Sequence, residues 1–375
     1  MLKKLFKSFL DYRRYLKHST KSEIIFFSEG IQHWAHLKFL VISLIKEYKV
    51  SFITLNLNDL GLKLKHKNYS SFFFGNLFIL NLFFQNNNSK YLITSLPDLG
   101  KLYFKKYNNN CKFIYIFHSL ASSHTQYYKD SFDNFDIILC SGPHHFREIR
   151  KSEDIYNNKR KILYKYGYPR LEEISKSKHK MKINNNKKYI LIAPSWGENS
   201  ITNICLEEIV ENLIFNNYTV IFRPHNMSLI KNKKTIKNLL KQYFNNNAFI
   251  FDNSNNSFDS LLKADLMVTD WGSTGSDFCL GLEKPVIYID TPAKIRNNEY
   301  EHISKSAFEF EIRKQIGTII NLNNLSNLST LIGQILKNHN KNDFVEKKNN
   351  FLNNYVYNYL SSEYEGIKIM KQIIQ

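Results

Sequence analysis

The 375-residue sequence predicts an α/β protein with two doubly wound, Rossmann-like halves, and three observations carry that prediction. From Ser22 onward short apolar runs alternate with amphipathic ones. The alternation breaks at EEISKSKHKMKINNNKK (172–188), where the chain turns charged and loses periodicity. It then restarts with YILIAPSW (189–196). Repeated β-then-α units imply parallel sheets with helices on both faces, and a chain of this length accommodates two such cores.

In the opening residues, MLKKLFKSFLDYRRYLKH, Leu2, Leu5, Phe6, Phe9, Tyr12 and Leu16 gather on one side of a helix. Lys3, Lys4, Lys7, Arg14 and Lys17 lie mainly opposite. Such a helix suits an anionic membrane surface, and equally a place on the protein's own core. EIIFFSEG (23–30) and VSFITLN (50–56) read as strands around a helix at HWAHLKFLVISLIKEY (33–48). SFFFGNLFILNLFF (71–84) is the most apolar segment, too short to span a bilayer and interrupted by Asn76 and Asn81. KFIYIFHS (112–119) and FDIILCSG (135–142) are expected strands, and Pro143 opens a helix.

In the second half, strands are expected at 189–196, 219–225, 248–253, 265–272 and 284–291. Helices are expected at about 204–215, 229–244 and 257–264. The expected organisation is an N-terminal helix (1–21), a first domain (22–175), a second domain (188–340), and helices over 341–375 that cross back to the first half. Ligands then belong in the cleft between the halves, at the carboxyl ends of strands.

Lys and Arg number 52 against 33 Asp and Glu, a net charge of +19. Nucleic acid, an anionic membrane face or a polyanionic substrate would suit that balance. The excess is spread along the chain, without zinc-ligand spacing, an RNA-binding aromatic signature or an Arg-dense recognition helix, which argues against nucleic acid. Cys111, Cys140, Cys205 and Cys279 are far apart in or beside apolar runs, as buried thiols of a reducing compartment are. With no long apolar stretch at the start to act as a signal peptide, the expectation is a cytoplasmic protein.

Two motifs point to chemistry. In VIFRPHNMS (220–228), Arg223 and His225 emerge at the carboxyl end of a strand. A guanidinium fork matches phosphate oxygens, and a charge-assisted hydrogen bond is worth about 1.5–3 kcal/mol. An exposed loop pair is the plain alternative. ADLMVTDWGSTGSDFCLGLEKPVIYID (264–290) runs from a strand to Asp270, then Gly-Ser-Thr-Gly-Ser, then Asp277. Its small residues let backbone N–H groups and the hydroxyls of Ser273 and Thr274 reach an anion at a helix N-terminus. Asp277 is placed to accept from ribose hydroxyls, or else to cap the helix.

RPH followed by TDWGSTGSDFCLGLEKPVIYID resembles the CDP-glycerol glycerophosphotransferase family of teichoic-acid and capsule polymerases. APSW (193–196), GYPRLEEI (167–174), IFHSL (116–120) and FDIILCSGPHHFREI (135–149) are similar to further motifs of that family, so the resemblance spans roughly 112–300. It implies a GT-B fold, two Rossmann-like domains facing across a cleft. It implies transfer of glycerophosphate, or a similar polyol phosphate, from a CDP-linked donor to a cell-surface glycan, teichoic-acid-like polymer or glycolipid, with release of CMP. The basic opening helix adds the expectation of a peripheral place on the inner face of the cell membrane, and nothing in the sequence calls for a cofactor or metal. His118 matches the base that deprotonates the acceptor hydroxyl. Arg223 and His225 match the pair on the donor phosphates, His225 taking a catalytic part. Ser273 and Thr274 match the phosphate cradle, and Asp270 and Asp277 are expected beside it in the donor site.

The chain departs from the family's pattern at four points. Ser119 replaces a Gly, LASSHTQ (120–126) lacks the family's Lys, Asn226 replaces a Pro, and Glu172 stands for an Asp. His124, His144 and His145 read as surface or packing residues. The alternatives are a GT-B glycosyltransferase using a sugar nucleotide, a hexosamine-nucleotide 2-epimerase (whose double Glu is missing here), and a non-enzymatic membrane-bound binder of anionic polymer.

Overall fold

Two all-parallel sheets organise the chain in a computed structural model that describes residues 2–18, 22–101, 104–107, 110–180, 187–254 and 258–375. One unit comprises Met1–Arg170, Arg296–Lys305 and Val356–Gln375; the other comprises Leu171–Ile295 and Ser306–Tyr355.

The first unit holds β1 (Ile24–Ser28), β2 (Val50–Thr54), β3 (Tyr69–Phe73), β4 (Tyr91–Thr94), β5 (Lys112–Ile116), β6 (Ile137–Cys140) and β7 (Ile162–Lys165). Their order is β3-β2-β1-β4-β5-β6-β7. Every residue of β1 and β2 is buried. Helices cover both faces of such a sheet, which is why its strands read as unbroken apolar runs. One face packs Phe27, Phe72, Phe74, Phe83, Phe84, Phe104 and Phe113 together. The other packs Phe26, Trp34, Leu40, Phe52 and Ile114 with Met370 of the tail.

The apolar run 71–84 is split in two. Asn76 Oδ1 accepts from the N–H groups of Phe78 and Ile79, capping the helix Leu77–Gln85 and ending the path of β3. Among the described residues no helix is long and apolar enough to cross a membrane.

The helix Leu2–His18 lies beside β3 and Leu77–Gln85, but among the described side chains of its apolar stripe only Tyr12 turns inward. Ser8, Asp11, Tyr12 and Tyr15 are buried. Asp11 accepts from the Phe73 N–H at 2.9 Å, and Tyr15 meets Phe72 and Phe83 edge-on. Leu5, Phe6, Phe9, Leu10 and Leu16 remain exposed, Phe6 to 65%. The neighbouring helix exposes Leu77 and Phe78 as well.

The second unit holds β8 (Tyr189–Ile192), β9 (Thr219–Phe222), β10 (Phe249–Phe251), β11 (Leu266–Thr269), β12 (Val286–Asp290) and β13 (Thr318–Asn321), in the order β10-β9-β8-β11-β12-β13. The helix expected at 229–244 is two, Asn226–Lys231 and Lys233–Gln242, meeting at Asn232. The expected linker 172–188 is helical as far as Lys180, and its residues 181–186 lie outside the described ones. Helix Lys341–Tyr355 belongs to the second unit. Helix Ser362–Ile374 lies in the first unit against Ile31–Leu44, where the Tyr91 hydroxyl donates to the Ile373 carbonyl at 2.7 Å.

In each sheet the chain order reverses once, between β1 and β4 and between β8 and β11. Loops part at such a point, leaving a crevice at the carboxyl ends.

The aromatic face of the first sheet sets an expected stability cost. Phe83→Ala removes a fully buried ring that contacts Tyr15, Phe74 and Phe84. Urea titration of that variant reads a loss of about 3–5 kcal/mol.

Candidate active site

His118 stands two residues past β5, and its ring is set by a neighbouring strand. Its Nδ1 is 3.0 Å from the backbone carbonyl of Ser95, just past β4. A carbonyl only accepts, so Nδ1 carries the proton and Nε2 of the neutral ring keeps its lone pair. That is the tautomer a general base needs. The Tyr115 hydroxyl stands 3.4 Å from the same Nδ1, and the Tyr168 hydroxyl donates to the His118 carbonyl at 3.3 Å.

Ser95 is held in turn. Its Oγ lies 2.8 Å from Nδ1 of the buried His33, in the first turn of the helix that follows β1. The reversal between β1 and β4 thereby brings His33, Ser95 and His118 together. One turn further on, His36 stacks on Tyr168 at 5.9 Å and meets His118 edge-on at 6.1 Å. Burial first, then the neighbouring His118 and Arg170, hold the His36 imidazole well below its ordinary range, so it stays neutral. Sequence reasoning missed His33, His36 and Ser95. The available signal was a His-x-x-His pair opening the helix after the first strand.

The loop after His118, where the chain departs from the family's pattern, is fastened from the helix Pro143–Tyr156. His144 Nε2 donates to the Leu120 carbonyl at 2.8 Å, and His145 Nε2 to that of Ala121 at 2.9 Å. The His145 ring also stacks on Phe117 with centroids 3.6 Å apart. One turn on, Glu148 accepts from the Ser123 N–H and hydroxyl, each at 2.7 Å, and its other oxygen stands 3.2 Å from His124 Nδ1. Burial raises the Glu148 carboxyl, but His124, His144 and His145 more than offset this and hold it well below the usual carboxylate range. All three histidines are buried and shape this loop, so of the two roles expected for them the structure shows packing.

On the second sheet two of the expected donor residues are engaged by partners of the protein itself. Asp270, expected among the donor ligands, is fully buried directly after β11. Its Oδ1 accepts from the Ser195 N–H at 2.7 Å and the Trp271 N–H at 2.6 Å, and its Oδ2 from the Ile201 N–H at 2.8 Å. With three amides on one carboxylate, it fastens the loop after β8 to the loop after β11. Arg223, expected to face phosphate, pairs with Asp252 through Nη1 at 2.6 Å and donates from Nη2 to the Ser254 carbonyl at 2.9 Å. Burial raises the Asp252 carboxyl, but hydrogen bonds from Ser260, Ser254 and Arg223 outweigh it and bring it down to about 2. The pair is therefore charged and intact throughout the neutral range.

His225 caps the helix Asn226–Lys231, its Nδ1 accepting from the Met227 N–H at 3.1 Å. Its Nε2 therefore carries the proton in the neutral ring and is a donor. The nine-residue helix Thr274–Leu282 starts from Ser273, which is exposed, and carries Asp277 in its first turn. Gly275 makes that start possible. A Cβ there would come within 2.9 Å of Thr269 Cγ2 and 3.0 Å of the Tyr288 hydroxyl, so only glycine lets the turn approach β11. Among the described residues no group of three His, Cys, Asp or Glu side chains gathers as a metal ligand set.

Residues 81–294, more than half of the chain, match the family described as CDP-glycerol:poly(glycerophosphate) glycerophosphotransferase. The chain belongs to this family. The match runs from the helix before β4 to the loop after β12, so it takes in His118, His225 and the Ser273–Thr274 turn. A teichoic acid poly(glycerol phosphate) polymerase of Bacillus spizizenii is 30% identical over 146 residues. That alignment covers 34% of this chain and 35% of that protein, so the chain spans about a third of its curated relative. Among solved structures, the wall teichoic acid polymerase TagF soaked with CDPG superposes with a TM-score of 0.59 at 16% identity, over 98% of this chain and 97% of that one. A putative UDP-N-acetylglucosamine 2-epimerase from Listeria monocytogenes gives 0.57 at 12% identity, over 94% and 97%. These likenesses show the fold, which is GT-B.

The buried imidazoles around the first sheet make the chain's stability depend on pH. His36, His144 and His145 are all lowered from an ordinary 6.5, chiefly by burial. Below that value the unfolded chain binds protons that these folded rings refuse, so their contribution is full above pH 6.5 and lost as pH falls below it. Urea midpoints measured at pH 7.5 and at pH 5.5 should therefore drop toward acid. His145→Gln, which keeps a donor for Ala121, should narrow the drop.

Proposed function

We propose that the chain transfers glycerophosphate from CDP-glycerol to the hydroxyl end of a teichoic-acid-type or capsule polymer and releases CMP. The observation that carries the reading is the Ser95 carbonyl on His118 Nδ1, which leaves Nε2 a base at the end of β5. Family membership and the name of the Bacillus relative support the choice of donor and polymer.

The acceptor oxygen bonds to the donor's β-phosphorus while His118 Nε2 takes its proton. The bridging P–O bond breaks, and its electron pair leaves on CMP. Ser273, Thr274 and the backbone amides at their helix start hold phosphate oxygens, with Asp277 beside them toward the ribose. His225 donates from Nε2 to the phosphate region as negative charge gathers there. Arg223 and Asp270 work indirectly, each fixing a strand-end loop through the bonds described above. Catalysis of this kind is mostly positioning and charge neutralisation.

A peripheral place on the cytoplasmic face of an anionic membrane completes the proposal. Leu5, Phe6, Phe9 and Leu16 of the first helix are exposed beside Leu77 and Phe78 of its neighbour. Lys3, Lys4, Lys7, Arg13 and Lys17 of the same helix are exposed as well. An apolar surface rimmed by lysine and arginine suits acyl chains below and anionic headgroups around it.

Incubating the purified protein with CDP-glycerol, CDP-ribitol and common sugar nucleotides, and measuring the nucleotide released, tests the reaction. CMP release from CDP-glycerol is expected, and turnover of sugar nucleotides alone would overturn the reading. His118→Ala should slow transfer by about 10²–10⁴-fold with donor affinity nearly unchanged, and the parent's rate should fall at acid pH as that ring protonates. For the membrane, Phe6→Ser with Phe9→Ser should release the protein from anionic vesicles without disturbing Tyr12 and Tyr15, and added salt should weaken parent binding. Equal sedimentation of parent and variant with vesicles would refute the surface.

A further inference from the structure

The edge of the second sheet carries a surface that the transfer reaction leaves unused. β10 is the outermost strand there, bonded to β9 on one side only. Phe249 and Phe251, two residues apart, share one face of β10 and are both partly exposed. Helix Lys233–Gln242 precedes this strand and turns Ile236 and Leu239 into the core. Just past the helix, Tyr243 stacks on Phe249 with ring centroids 5.3 Å apart, while Phe244 stands 83% exposed. Leu240 closes the remaining side, and the open hollow lined by these side chains has a volume of about 730 Å³.

Lysines rim the hollow. Lys237 and Lys241 line it, and Lys233 and Lys234 extend the same side of the helix by one turn. All four are exposed, and none forms an ion pair among the described residues. From Asn226 to Phe251 the chain has five lysines and no acid. The Tyr243 hydroxyl is raised by burial and then by Glu211 and Glu207 of the neighbouring helix Leu206–Phe215, but neither acid pairs with these lysines. An aromatic floor under a positive rim suits an amphiphile with a negative head. Two features favour lipid over a protein partner. Protein interfaces are enriched in Arg and depleted of Lys, whereas this rim is all lysine. A lysine stem also lies well along apolar rings with its ammonium at the level of phosphate headgroups. A second copy of the chain would bring the same positive rim against itself.

We propose that the hollow between helix Lys233–Gln242 and β10 is a lipid contact of the second unit, in which Phe244 and the neighbouring rings enter the acyl region of an anionic bilayer while Lys237 and Lys241 meet its headgroup phosphates. The contact is separate from the one proposed for the first helix and does not depend on it. The same chemistry is present in both places, an exposed Phe beside lysines without acids among them: Phe6 and Phe9 there, Phe244 here. Each lysine held near an anionic surface strengthens binding about fivefold, so the rim adds a weak and reversible hold rather than an anchor. It gives the unit that carries the donor motifs its own attachment to the membrane.

The four native cysteines are buried, so Phe244→Cys gives the full chain one exposed thiol for an environment-sensitive dye. With phosphatidylglycerol vesicles the dye's emission should shift to the blue and rise; with phosphatidylcholine vesicles it should stay as in water. Lys237→Gln with Lys241→Gln should raise the lipid concentration needed for the shift about thirtyfold, and added salt should raise it too. Both lysines are exposed, so the urea midpoint of that variant should match the parent's. Labelled protein that sediments with the vesicles while its dye stays in water overturns the proposal and leaves the first helix as the contact. An equal response to both lipids overturns the part given to the lysines. A blue shift without vesicles that grows with protein concentration overturns it in favour of a second copy. A response to an acidic amphipathic peptide, with none to vesicles, overturns it in favour of a protein partner.

Discussion

A parallel strand covered on both faces has little place for a large polar side chain except at its ends. Every residue of β1, β2, β6, β9 and β11 is buried, and the groups able to do chemistry begin where those strands and their neighbours stop. His33 and Ser95 follow β1 and β4, His118 follows β5, and His225 and Asp270 follow β9 and β11. The constraint also explains the loops. A loop that must hold an imidazole in one orientation has lost the ladder of backbone bonds, and its free amides need other partners.

Buried carboxylates supply those partners three times. Asp59 accepts from the Ser28 and Thr54 hydroxyls at 2.8 Å and from the Gly61 N–H at 3.0 Å, tying β1 and β2 to the turn beyond. Glu148 does the same for the loop after His118, and Asp270 for the loop before Trp196. A carboxylate accepting two or three such bonds is stable where an unpaired one is not, and removing it strands several amides at once. These acids fasten the loops at the strand ends. Their positions at strand ends make them look like ligands in a sequence.

That ambiguity marks the limit of what the residues disclose by themselves. The strands were legible because burial on both faces writes an apolar run, and the RPH and TDWGSTGS turns were legible because polar residues interrupt those runs abruptly. Strand β13 was not, since TIIN carries one buried residue in four. His33 and His36 were hidden in a helix whose pattern is otherwise apolar. The protein partners of Asp270 and Arg223 were not legible because they lie far along the chain, Ser195 75 residues from Asp270 and Asp252 29 residues from Arg223. For the first helix the apolar stripe was correctly seen, but the side facing the core is decided by Asp11 and the Phe73 amide, which no wheel displays.

Two histidines end in opposite tautomers, and a single backbone group decides each. The Ser95 carbonyl accepts from His118 Nδ1–H and leaves the lone pair on Nε2; the Met227 amide donates to His225 Nδ1 and leaves Nε2 a donor. The roles cannot be exchanged without rebuilding a loop. Nor do the two respond alike to acid. A proton added to His118 enters at Nε2 and keeps the Ser95 bond, so the ring stays in place and only its basicity is lost. A proton added to His225 enters at Nδ1 and displaces the Met227 amide, so it costs the helix its cap.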